Sequence, residues 1–313
     1  MKKTFWSLAA LMLMAAPVMT SCSNDLDEVA PVEEAKGNVV TLTIALPEDE
    51  PTTRVAVNNS LKITGWENGD VVTLYKYELV EGEHEDEYTL QVSEGEVFTY
   101  SNTIGEFSGT LPTSKTIDDY NLAIFGGTAE NYDDHGGTTG IKIIPTTWCS
   151  TELKNVVMMG AIKDNEGKFT MQVINNVMKI ENQSGADVTV AWYGYDWGPE
   201  TNHFFELASM LFCYYDGTIY WGGLRWLYRD LGWANSPKFT LQNEAVNYVN
   251  FPLINGYEDN DKIGLYKSDE TAVVTMKGIS GRISYYGWTG SGWGVVSFRG
   301  KLLNAGTYNG TAL

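Results

Sequence analysis

The side chains able to do chemistry are few and scattered. His84, His135 and His203 stand far apart, in polar loops or beside an expected helix start. None has a partner at metal-ligand or catalytic-triad spacing. Gly-x-Ser-x-Gly, P-loop and His-Glu-x-x-His motifs are absent. Asp133-Asp134 and Asp259-Asn260-Asp261 offer the clustered oxygens that a hard cation takes. They lack the spacing of a full calcium loop, and solvated turns account for them. A glycosidase pair of carboxylates is defined in space, so 40 acids make any one pair a poor candidate. The expectation is no catalytic residue, no metal site, no cofactor and no enzymatic activity.

Cys22 is different, because what precedes it assigns it a reaction. Met1-Lys2-Lys3-Thr4 is a short basic start, and Phe5 to Val18 is an apolar run broken only by Ser7 and Pro17. That run suits a signal-peptide core and is too short to span a bilayer. Met19-Thr20-Ser21-Cys22 follows, similar to the bacterial lipobox. A dedicated peptidase cuts before such a Cys, and the thiol then carries diacylglycerol. The alternative is an ordinary secretory signal with an incidental Cys. Residues 1–21 are therefore read as signal peptide and 22–38 as a lipidated acidic tether. Ser23-Asn24-Asp25-Leu26-Asp27-Glu28 resembles an acidic surface-export signal; a solvated linker would look the same. Cys149 and Cys213 could pair in an oxidising compartment, but two thiols make no disulfide framework, and they better suit small buried apolar positions.

Aromatic residues offer a third kind of chemistry. Trp192, Trp197, Trp221, Trp226, Trp233, Trp288 and Trp293 crowd the second half. Exposed, they would stack on sugar rings or a protein partner. Packed across strands, the same residues would simply build a core. Trp288-Thr289-Gly290-Ser291-Gly292-Trp293 puts two Trp around a glycine-rich turn, where burial is hardest. Trp288 and Trp293 are thus the candidate ligand contacts.

The elements that must position these residues are strands. The 313 residues are 43% hydrophobic, enough for packed cores, and rich in Thr, Val, Tyr and Trp, with 32 glycines for turns. A net charge of −19 argues against nucleic acid and against an anionic membrane surface. Val40, Leu42, Ile44 and Leu46 share one face of a first strand at Val39–Leu46. A second is expected over Leu61–Trp66, closed by the turn Glu67-Asn68-Gly69-Asp70. Phe169, Met171 and Val173 alternate, as do Val188, Val190 and Trp192. Asn202–Cys213 carries Phe204, Leu207, Met210 and Leu211 near helical spacing and is the expected helix, with a shorter one at Leu224–Leu231. Short strands at 8–12-residue spacing imply an all-β chain of two sandwiches, 39–164 and 165–313, with one or two short helices in the second.

Several stretches together resemble the fimbrillin family of Bacteroidota, lipoproteins related to type V pilins. They are Thr53-Arg54; Trp66-Glu67-Asn68-Gly69-Asp70 before Val71-Val72-Thr73-Leu74-Tyr75; Phe107-Ser108-Gly109-Thr110-Leu111-Pro112; Val157-Met158-Met159-Gly160 before Phe169–Ile180; and Leu303-Asn304-Ala305-Gly306-Thr307-Tyr308. The likeness spans nearly the whole mature chain. Phe125-Gly126-Gly127 departs from the family's usual tyrosine-proline, and the aromatic second half is unusual.

The resemblance implies two tandem transthyretin-like β-sandwiches. It implies a surface protease cutting after Arg54, so that the chain restarts at Val55 without its first strand. It also implies partners: other pilus subunits adding a β-strand, and a host protein or glycan ligand. Location would be the surface of the outer membrane, anchored through Cys22, or the fimbrium. Thr307–Leu313 are needed to finish the second sandwich, which suggests a tip or accessory subunit. A stand-alone glycan-binding lipoprotein is the alternative.

Overall fold

The computed structural model describes residues 37–46, 61, 65–81, 88–133, 139–153, 156–160, 168–195, 202–204, 209–213, 219–222, 231–252, 263–276, 286–288, 293–295 and 302–313. Cys22, Arg54 and Val55 lie outside them, as do His84, His135, Asp134, Asp259, Asp261 and residues 224–230 of the shorter expected helix.

The chain is all-β, as its composition and alternation lead one to expect. The first half contributes β1 (Asn38–Leu42), β2 (Ile44–Ala45), β3 (Val71–Tyr75), β4 (Tyr77–Glu81), β5 (Tyr88–Val92), β6 (Glu96–Ser101), β7 (Glu106–Leu111), β8 (Leu122–Phe125), β9 (Gly127–Asp133), β10 (Thr139–Pro145), β11 (Cys149–Ser150) and β12 (Met158–Gly160). The second contributes β13 (Phe169–Thr170), β14 (Gln172–Val173), β15 (Asn175–Asn182), β16 (Val188–Tyr195), β17 (Asn202–Phe204), β18 (Ser209–Cys213), β19 (Ile219–Gly222), β20 (Lys238–Leu241), β21 (Ala245–Pro252), β22 (Ile263–Tyr266), β23 (Ala272–Met276), β24 (Tyr286–Trp288), β25 (Trp293–Val295) and β26 (Leu302–Tyr308). One short helix, α1 (Gly232–Asn235), and a 3-10 turn at Ile117–Asp119 complete the described elements.

The largest sheet runs β1-β7-β6-β3-β8-β12-β14. Its inner face buries Leu42, Val72, Leu74, Phe98, Phe107 and Leu111 in a first core with Phe169 and Met171. Period-two alternation does this directly: on β8, Ala123 joins that core while Leu122 and Ile124 point to the other side. There they meet Ile141, Ile143 and Val157 in a smaller core. The second core proper belongs to the second half of the chain, where Met178, Ile180, Val190, Phe251 and Leu265 surround Trp192. Strand β15 serves two cores, since Val177 faces the first and Met178 and Ile180 the other. Trp192 is fully buried between Phe239 and Phe251 at 6.3 and 6.1 Å, so this aromatic residue is core.

The helix expected over Asn202–Cys213 is not formed. Asn202–Phe204 pairs antiparallel with β16, and Ser209–Cys213 pairs on one side with β10 and on the other with β19. Open sheet edges supply backbone partners that outweigh a loosely helical apolar spacing. Among Leu61–Trp66, the described residues Leu61, Gly65 and Trp66 are also outside any strand. Leu61 takes a left-handed backbone, φ 54°, which breaks extended structure while its side chain stays buried.

Candidate strand-docking site

The strand read first from the sequence proves to be two short strands in line, serving two sheets. β1 pairs antiparallel with β7, from Asn38 opposite Leu111 to Leu42 opposite Phe107. After Thr43, β2 pairs parallel with β13, Ile44 beside Phe169 and Ala45 beside Thr170. Among the described residues, β1 is the edge of its sheet, and β2 has β13 as its ladder partner.

Alternation sets what this segment buries. Leu42 and Ile44 are 6% and 4% exposed, with Val40 and Leu46 packed beside them on the same core. Thr41 and Thr43 face water. Truncating a buried Leu or Ile to Ala costs about 2–5 kcal/mol each. The pair is therefore worth a sizeable part of a domain's ~5–15 kcal/mol stability. A vacated groove would also leave the β7 edge without its ladder.

Trp66 seals the far end. Its Nε1–H donates to the Ile44 carbonyl at 3.1 Å, and its ring packs edge-on against Phe107 and Phe125, with centroids 4.9 and 5.4 Å away. The Met171 N–H donates to the Ala45 carbonyl at 2.9 Å. The turn after Trp66 explains its own residues. Gly69 takes φ 94°, a left-handed value that suits glycine. Asp70 Oδ2 accepts from the Glu67 N–H at 2.7 Å, and the Asp70 N–H donates to the Glu67 carbonyl at 3.0 Å. Gly-Asp thus reverses the chain and delivers Val71 into β3.

Leu46 ends the segment, and Leu61 brings the chain back into the same core. Arg54 and Val55 belong to the connection between them in sequence. Sequence reasoning identified the segment by its alternation. It missed β13 as the parallel partner, because nothing local links Ile44 to Phe169. It also missed the buried amides beside the site. Asn175 Oδ1 accepts from the Val157 N–H at 2.7 Å, its Nδ2 donates to Asn176 O and Asn250 Oδ1, and Asn250 Nδ2 donates to Thr147 O at 2.8 Å. The only signal was a polar Asn175-Asn176 pair amid apolar residues.

The other candidate residues fall elsewhere. β24 and β25 form a hairpin in which Trp288 is the register partner of Trp293, so the structure brings these two together. Cys149 is a free thiol, pushed up to about 12 by burial, and its Sγ lies 3.9 Å from Asn247 Oδ1. No group of three or more His, Cys, Asp or Glu able to hold a metal ion occurs among the described residues. Among the described residues, no helix is long and apolar enough to cross a membrane.

No family model matches the chain. No curated protein matches it either. Among solved structures, one to which it is similar is the major pilin from Streptococcus pyogenes, at 8% identity, covering 88% of this chain and 99% of that one, with a TM-score of 0.16. A likeness of that size carries no argument about this chain.

Proposed function

We propose that the chain is a cell-surface lipoprotein of fimbrillin type, a tip or accessory subunit in adhesion. In this reading Cys22 carries the lipid anchor at the outer membrane. Cleavage after Arg54 frees the first strand, and a strand from a neighbouring subunit replaces it. The observation that carries the reading is the bonding of β1 and β2, each paired, among the described residues, with one neighbour while their side chains plug a core. Such a segment is separable in backbone terms yet indispensable in packing terms, so whatever removes it must be followed by a substitute. The acceptor role is favoured because Leu303, Ala305, Tyr308 and Leu313 are engaged in the chain's own second core. We assign the protein no catalytic step.

The test is the N-terminus of the protein on the cell surface, by intact mass and terminal peptide mapping. A start at Val55, together with capture of a peptide spanning 38–46 by the cleaved chain, is the expected result. A lipid-modified Cys22 start in every assembled copy would overturn strand exchange and leave an anchored, strand-complete lipoprotein.

A second reading is favoured by the Trp288–Trp293 register pair. A hairpin presenting both would suit a glycan ligand. A glycan array with Trp288→Ala and Trp293→Ala separates the two readings: specific binding lost in the variants supports the lectin role.

A further inference from the structure

The sheet β17-β16-β22-β23 has two faces. Val190, Trp192, Ile263 and Leu265 point into the second core, so Ala191, Tyr193, Gly264 and Tyr266 stand on the other side. There Tyr193 and Phe204 are buried, and Trp233 of α1 packs edge-on against Phe204, ring centroids 5.1 Å apart. Tyr266 ends the row, half-buried, 4.6 Å from Tyr193 between centroids. Its ring lies back over Gly264, where a Cβ would fall 2.9 Å from Tyr266 Cε2. The turn that follows brings a carboxylate to this row. Glu270 is exposed and takes a left-handed backbone, φ 60°, a value glycine accepts without strain and glutamate does not. Its N–H donates to the Lys267 carbonyl at 2.9 Å, and the Tyr193 hydroxyl donates to Glu270 Oε2 at 3.0 Å. The side chain is thereby pinned beside the rings. No ion pair neutralises it among the described residues. Nearby Lys238 is occupied, its Nζ donating to the carbonyls of Trp233 and Ala234 at 2.9 Å and of Ser236 at 3.1 Å.

We propose that Tyr266 and Glu270 receive an arginine side chain of a partner polypeptide. The site offers aromatic rings and an ionised carboxylate, which accepts hydrogen bonds and donates none. The Tyr193 hydrogen is already committed to Glu270. A ligand must therefore bring both the donors and the positive charge. A guanidinium does so in one plane: it stacks on an aromatic ring and bonds a carboxylate through two parallel N–H groups. An ammonium would answer the charge without the plane, and a neutral sugar would leave the charge unanswered. The chain's net charge of −19 draws a basic partner in. One side chain held this way binds weakly, on the order of millimolar, so the site is one contact of a wider interface. Its residues all lie in the second half of the chain, so the inference stands whether or not the first strand is ever exchanged.

The test titrates the full chain with acetyl-arginine amide and follows labelled tyrosine rings by NMR. The Tyr266 signal is the one lost in Tyr266→Phe. A saturable shift of that signal is expected, with acetyl-citrulline amide, similar in shape but uncharged, binding about tenfold more weakly. Glu270→Gln keeps an acceptor for the Tyr193 hydroxyl and should lower the arginine affinity about tenfold. Glu270→Gly, which suits the left-handed turn, should lose the shift over the same titration. A Tyr266 signal unmoved by the arginine probe would overturn the proposal. So would equal binding of the citrulline probe, equal binding by Glu270→Gln, or a shift from methyl glucoside where arginine gives none.

Discussion

The first and second cores are both closed by a parallel strand, and every other pairing described is antiparallel. β2 lies parallel to β13 in the first core, and β26 lies parallel to β15 in the second. The two closures are fastened very differently. β26 pairs with β15 from Leu302 to Tyr308, and Leu313 continues onto the far side, donating to the Val273 carbonyl at 2.9 Å and accepting from Thr275 at 3.0 Å. Its Tyr308 is buried. The first closure pairs five residues with β7 and then hands over to β13 for two parallel residues. Backbone pairing of β26 to β15, followed by bonding of Leu313 to β23, ties the second core to its own chain. The first core's closure divides its pairing between β7 and β13 and adds one indole hydrogen bond, from Trp66 to Ile44.

The comparison can be broken by mutation. Tyr308→Ala should cost the most, about 3–5 kcal/mol, as for other large buried rings. It should expose the second core to proteolysis while leaving the β1 segment seated. Leu42→Ala should cost about 2–5 kcal/mol. In urea unfolding followed by hydrogen exchange, β1 and β7 amides should then exchange before those of β26. If both variants loosened both cores equally, the contrast would fail.

Trp66→Phe keeps the ring contacts with Phe107 and removes the donor to Ile44. The expected loss is about 0.5–1.5 kcal/mol, the usual net value of one such hydrogen bond. Exchange at Ile44, Ala45 and Met171 should rise, and β26 should be unmoved. The smallest effect concerns Cys149, which packs against the second core. Burial pushes this thiol up to about 12. At pH 8 that leaves roughly one thiol in ten thousand ionised. Iodoacetamide should therefore spare Cys149 in the native protein and in Leu42→Ala, and label it in Tyr308→Ala, as read by peptide mass.

Alternation made much of this legible in advance. Leu42 and Ile44 on one face, and Val190 and Trp192 on another, were readable because a period of two puts each in a core. Phe169, Met171 and Val173 read as one strand. In the fold β13 pairs with β2 and β14 with β12, so partners rather than pattern set the break. β9 went unseen because Gly127-Thr128-Ala129-Glu130 carries no apolar alternation; its ladder with β10 holds it extended. Asn202–Cys213 misled for the opposite reason, having a pattern without the partners that pattern implies. The candidate site was half legible. Its plug was in the local sequence, whereas its socket, β7, β13 and Trp66, is assembled from distant segments.

That separation also fixes an order in time. Ile44 reaches its place only when Phe169 exists to receive it, and synthesis runs from the first to the second. During that interval β3, β6, β7 and β8 can pair among themselves, but their apolar face lacks the floor that Phe169 and Met171 provide. Contacts so distant in sequence are slow to form. The nascent first half therefore emerges as an open half-clasp, and it latches only after the ribosome has moved well into the second half.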